Sequence, residues 1–300
     1  MTLFNRAGAR QLREEVVESH IDNKLADAIL EHFNEIHSME LPVDFEIERS
    51  LLKDELDSIN RKSQFFFTNE MITFSPSSAS KCERELLFKA ISTTKDNNSF
   101  FPYQRRWMRN GTAVHAAVQK DLLYAEKYLD NPKFTVERTV EGKPAWERNI
   151  KKSKQFNHNG VSFLIYGMMD GILIHTPTAT RLGFEFKTKS TTISAVGSYK
   201  LKGPQSSHIE QCVAYSLLFD IDEFLIVYES LAKDGWNKGE AAKPDMRAFH
   251  VTVTDNDREA LLDKLAAVAQ DFYLDQMPEG NFSKCIFCTY KESCDLARAS

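Results

Sequence analysis

What this 300-residue chain lacks narrows the reading first. No run reaches the ~18 consecutive apolar residues that a membrane-spanning helix needs. The opening stretch, MTLFNRAGARQLREEVVESH, has no apolar signal-peptide core. The expectation is a soluble, cytoplasmic protein with no membrane partner. No G-x-x-x-x-G-K-[ST] phosphate loop occurs, so the chain has no recognisable ATP motor of its own. Internal repeats and low-complexity tracts are absent. Cysteine is sparse, five in all, and disulfides are not expected in a chain without an export signal.

What is present argues for a packed interior. The chain is 42% hydrophobic and holds 21 Phe, against the composition of a disordered segment. Its net charge of −5 is unevenly spread. Residues 1–100 carry net −6, residues 101–202 net +9 and residues 203–300 net −8. A basic middle third in an acidic protein can still bind a polyanion locally. Charge alone does not separate that from a solvated basic face.

Periodicity predicts helices over residues 7–38, near 46–60, after the SPSS of 75–78, over 112–129, over 206–220 and over 255–276. Residues 131–160 read as polar and irregular, with the basic run KKSK. Two β-like segments follow, 161–175 and 181–188, and two more strands at 223–230 and 248–254. This order predicts an α/β fold, a mixed central β-sheet flanked by helices, with an N-terminal helical extension. The expected division is an extension over 1–72 and a main domain over 73–300.

Within GFEFKTKS, residues 183–190, strand alternation puts Glu185 and Lys187 on one face and Phe184 and Phe186 on the other. Asp170 is the lone acid of the preceding segment. A four-residue loop at Thr176–Ala179, with Pro177 in its second position, makes a hairpin in which His175 pairs with Thr180. Asp170 then stands opposite Glu185. Opposed carboxylates repel, and a divalent cation between them relieves that. Two carboxylates on a hard cation with a lysine alongside suit phosphodiester hydrolysis. Alone, so short a pattern also describes a hairpin whose charges face water.

The wider pattern resembles the PD-(D/E)XK nuclease superfamily, in its RecB-like exonuclease branch. GTAVH (Gly111, His115), GMMD (Gly167, Asp170), Glu185 with Lys187, and QCVAY (Gln211, Tyr215) match its four motifs in order. The resemblance implies a restriction-endonuclease-like core and Mg²⁺ or Mn²⁺ held by His115, Asp170, Glu185 and the Phe186 carbonyl. It implies Lys187 as the catalytic lysine, and Gln211 and Tyr215 near it or on the DNA backbone. Arg105, Arg106, Arg109, Lys151, Lys152, Lys154 and Lys189 form a candidate DNA track. Tyr103 and Trp107, among those arginines, suit base stacking or the core.

Cys285, Cys288 and Cys294 form C-x2-C-x5-C, and Cys82 lies far upstream. Four thiolates suit zinc or an iron–sulfur cluster. The arrangement resembles a RecB-like subgroup that includes CRISPR-associated and phage-encoded exonucleases, which implies a [4Fe–4S] staple. Cys212 is expected to be a buried helix residue. The resulting expectation is a metal-dependent DNA exonuclease acting on free or single-stranded ends, in recombination, repair, phage DNA processing or CRISPR adaptation, in a bacterial or phage-infected cell. A helicase or recombination partner would be a separate chain. The rival readings are a non-catalytic DNA-binding protein that keeps the fold, and a zinc-stapled RNA nuclease.

Overall fold

The computed structural model describes residues 21–60, 71–96, 100–281, 283, 285 and 288–299. The predicted helix over 7–38 falls partly outside these residues. Its described part is a short strand, β1 (Ile21–Asp22), followed by α1 (Asn23–His37). Then come α2 (Phe45–Asn60), β2 (Thr73–Phe74), α3 (Glu83–Ala90) and α4 (Pro102–Tyr128). Strands β3 (Phe134–Val136), β4 (Lys151–His158), β5 (Val161–Met168), β6 (Gly171–His175) and β7 (Thr180–Lys189) follow. The chain continues through α5 (Ser206–Phe219), β8 (Glu223–Ser230), β9 (Met246–Thr252), α6 (Asp255–Tyr273) and α7 (Lys291–Ala299).

Three departures from the sequence reading matter. Helix α4 starts at Pro102, ten residues before the predicted start. Pro102 at the first turn costs no hydrogen bond, and the Gln104 side chain accepts the Phe101 N–H at 2.8 Å. The supposedly irregular 131–160 contains β3 and β4, the latter beginning at KKSK. The segment 161–175 is two strands in two different sheets, with Met169 and Asp170 carrying the chain between them.

The larger sheet has the order β1-β9-β8-β7-β6-β3 and the smaller β2-β5-β4; each mixes parallel and antiparallel pairs. Both faces of the larger sheet are covered. Leu182, Phe184, Phe186, Leu225 and Val227 pack against α1 and α4, which contribute Ile29, Phe33, Val118, Leu122 and Ala125. Phe224, Ile226, Tyr228 and Phe249 pack against α5, α6 and the smaller sheet. Burial on both faces explains why β8 reads as a nearly continuous apolar run, EFLIVYES. Mixed α/β architecture with a helix-flanked sheet is therefore the observed fold. No described helix is long and apolar enough to cross a membrane.

Candidate active site and a four-cysteine cavity

The hairpin has the expected register. His175 pairs with Thr180 across the loop at residues 176–179, and the ladder ends at Gly171 opposite Phe184. Ala179 takes the left-handed conformation, φ +55°, that closes the loop. Strand β7 continues past that end to Lys189, paired among the described residues with β8 on its other side. Residues 185–189 therefore have no β6 partner, which leaves a notch in the sheet's ladder with Asp170 at its corner. Its Oδ2 accepts the Phe186 backbone N–H at 2.9 Å, a bond that the β6 ladder leaves unmade.

Glu185 and Lys187 share the face covered by α5. Glu185 is 1% exposed, so both faces of this strand are buried, not the phenylalanine face alone. One Glu185 oxygen, Oε1, holds the Lys187 ammonium. The other, Oε2, is buried with no hydrogen-bond partner. Burial, then repulsion from Asp170, pushes the Glu185 carboxyl up to about 8. Burial works against the Lys187 ammonium, but the charge and hydrogen bond of Glu185, with Asp170 nearby, together hold its pKa above the ordinary lysine value.

Gln211 and Tyr215 lie one turn apart on α5, both buried. Gln211 Oε1 accepts from Lys187 at 3.3 Å, and its amide donates to the Tyr215 hydroxyl at 2.8 Å. Their tips point at the lysine. His115 approaches from α4, on the sheet's other face. Its ring packs edge-on against Phe186 at 5.1 Å, and Nδ1 lies 3.7 Å from Asp170 Oδ2. Helix α4 approaches β7 closely at Gly111, where a Cβ would stand 3.2 Å from Thr188 Oγ1. Gly167 is required by packing as well: a Cβ there would meet two Pro76 ring atoms at 2.6 Å.

Two site residues escape a motif reading. Gln119, one turn beyond His115 on α4, donates to Glu147 Oε2 at 2.5 Å and to the Asp170 carbonyl at 3.3 Å. Burial and the nearby Asp170 raise the Glu147 carboxyl above its ordinary value. The spacing of Gln119 from His115 was a usable signal. Glu147, in a loop 23 residues before Asp170, had none.

The basic candidates divide. Lys152 and Lys154 pair with Asp220 at 3.2 and 2.9 Å. Lys189 lies over the Tyr228 ring at 5.1 Å. Arg105, Arg106 and Arg109 are exposed on the first turns of α4.

The donor set at the notch suits a hard cation: two carboxylates, one with a buried unpartnered oxygen, and an imidazole. Among the described residues, the set of three ligand atoms already within 4.8 Å of one another lies elsewhere, at His158, Glu259 and Asp263. Those three are held together by ordinary surface pairing, His158 to Asp263 at 2.7 Å and to Glu259 at 3.8 Å.

Cys82, Cys285, Cys288 and Cys294 line one cavity of about 150 Å³. Cys82 caps α3, its Sγ accepting the Glu85 N–H at 3.4 Å. Arg84 donates to Cys294 Sγ at 3.5 Å. Such donors suit thiolate sulfur. Cys212 is fully buried on α5, away from this cavity, and burial raises its thiol pKa.

No protein-family model matches the sequence, and no curated protein matches it. Among solved structures the chain is similar to SSO0001, with TM-score 0.43 and 15% identity, covering 84% of this chain and 97% of that one. It is also similar to the alkaline exonuclease LHK-Exo from Laribacter hongkongensis, with TM-score 0.41 and 12% identity over 76% and 95% of the two chains. LHK-Exo in complex with dAMP gives TM-score 0.39 and 11% identity over 77% and 95%. Likeness at this distance carries no functional argument, which rests on the site.

Proposed function

We propose that this chain is a Mg²⁺- or Mn²⁺-dependent DNA exonuclease of the PD-(D/E)XK class, RecB-like, with residues 73–300 as the nuclease unit and 1–72 as its extension. The observation that carries the reading is the notch beside β7. There Asp170 and the Glu185–Lys187 pair converge, and a buried Glu185 oxygen has no partner. Asp170 and Glu185 would hold the cation, with His115 and the Phe186 carbonyl as further donors, and it would supply Lewis acidity toward a phosphodiester. Lys187, kept charged by Glu185 and hydrogen-bonded to Gln211, would balance the charge that grows on the phosphate oxygens. Gln119 fixes the Asp170 backbone and holds Glu147 beside it.

The four-cysteine cavity is read as a [4Fe–4S] site rather than zinc because Cys82 upstream with Cys285, Cys288 and Cys294 at C-x2-C-x5-C resembles the cluster-bearing RecB-like arrangement. A brown protein with broad visible absorption is expected; a colourless protein containing one zinc would reverse that choice, since zinc has no d-electron colour.

End-labelled DNA digestion in Mg²⁺ and in Mn²⁺ tests the function. Wild type should release nucleotides from ends, and Asp170→Ala should lose at least ~100-fold in rate. DNA binding without cleavage under either metal would instead favour the non-catalytic DNA-binding protein.

A further inference from the structure

The first turns of α4 and the two residues before it carry a surface that the hydrolytic chemistry does not use. Phe100, Phe101, Tyr103, Trp107 and Met108 are all exposed, Tyr103 at 46% and Trp107 at 44%. Scattered exposed apolar residues are ordinary, but a contiguous group marks an interaction surface. The rings are ordered among themselves. Phe101 and Tyr103 stack at 5.9 Å, 8° from parallel, and Tyr103 meets Trp107 edge to face at 5.1 Å.

Arginines interleave with these rings. Arg105 lies 5.7 Å from the Phe100 ring centre, and Arg109 reaches only the neighbouring Asn110. The stretch from Phe100 to Gly111 contains no acid. Neither Arg105, Arg106 nor Arg109 has a carboxylate partner among the described residues. Flat apolar faces alternating with unneutralised guanidinium groups match a polymer that alternates flat bases with phosphates. A hydrophobic protein partner would not call for three uncompensated cations.

The surface lies on the approach to the notch. At Gly111, α4 touches Thr188, the neighbour of Lys187. Trp107 precedes His115 by eight residues of one helix, about 12 Å at 1.5 Å per residue. That spans three to four nucleotides at about 3.4 Å each along one strand.

We propose that the start of α4 is a stacking platform for the unpaired bases of a single-stranded nucleic acid. Tyr103 and Trp107 take base faces, Phe101 backs Tyr103, and Arg105, Arg106 and Arg109 hold the intervening phosphates. The proposal deepens the exonuclease reading and rests on it for the fate of the bound strand.

The test measures binding of a short oligodeoxythymidylate, and of the same strand with abasic sites, in EDTA so that nothing is cut. Wild type should bind the thymidylate strand at least ~10-fold more tightly than the abasic strand. Tyr103→Ala/Trp107→Ala should erase that difference while its melting temperature stays at the wild-type value, because both rings are exposed. Binding should also quench a tryptophan signal that Trp107→Phe removes. Equal affinity for the two strands, or unchanged affinity in the double variant, overturns the platform. So does loss of self-association in the double variant by sedimentation with oligonucleotide affinity intact, which would assign the surface to a second copy of the chain. Base-dependent binding that needs Tyr103 and Trp107, with no cleavage under any metal, would sink the hydrolase reading and leave the platform standing. Cleavage with a double variant that binds and cuts as wild type would do the reverse.

Discussion

Glu185 sits in a conflict that the protein cannot relieve with its own side chains. It is buried, it faces Asp170, and Lys187 satisfies one of its two oxygens. Its pKa moves from an ordinary 4.5 to about 8. An acid whose folded pKa is raised binds more protons folded than unfolded between the two values, so stability falls as pH climbs through that window. In EDTA the melting temperature should therefore decline from pH 5 to pH 8. Mn²⁺ should restore more of it at pH 8 than at pH 6, since the ionised carboxylate is then the ligand. Glu185→Gln should flatten the slope and blunt the response to Mn²⁺; a slope and response that survive it, in scanning calorimetry, would remove Glu185 from the cation site. The two charges of ExK were legible in the sequence because strand alternation fixes their common face. The burial of that face was not, since it depends on α5 lying over it.

At the scale of elements, the site is made by where strands stop. β6 begins one residue after Asp170, while β7 runs on past the last shared pair. The Asp170 carboxylate then takes the Phe186 N–H as the ladder's substitute. Turn chemistry set this register, and the turn was readable from Thr176-Pro177-Thr178-Ala179. The passage of residues 161–175 from one sheet to the other was not readable, because both strands are apolar and alternation does not say which sheet a strand joins. Gly167 secures that passage against Pro76. Gly167→Ala should cost about 1–3 kcal/mol of stability, read from urea unfolding. Pro76→Ala in the same chain should recover most of the loss, giving a coupling that separate packing defects would lack.

Over the whole molecule, the cavity of four cysteines brings the start of α3 together with α7 and the segment before it, across most of the chain. Asp96 adds to this junction by accepting the Lys291 N–H at 2.7 Å. Closing so long a loop removes much freedom from the unfolded chain. Cys285→Ala should lower the melting temperature by about 10 °C, taking ~3–5 kcal/mol for a long-loop crosslink and 2–4 °C per kcal/mol. Turnover by the molecules that remain folded should change little, because the notch lies outside that cavity; an unchanged melting temperature would end the staple reading. The sequence by itself determined the common face of Glu185 and Lys187, the hairpin register and the cysteine spacing, because each follows from strand alternation, turn chemistry or the order of residues along the chain. Only the tertiary structure decided that Glu147 joins Asp170, that Lys152 and Lys154 are taken up by Asp220, and that Tyr103 and Trp107 face outward. Each of those depends on which distant element packs where, a matter of long-range burial that no local pattern encodes.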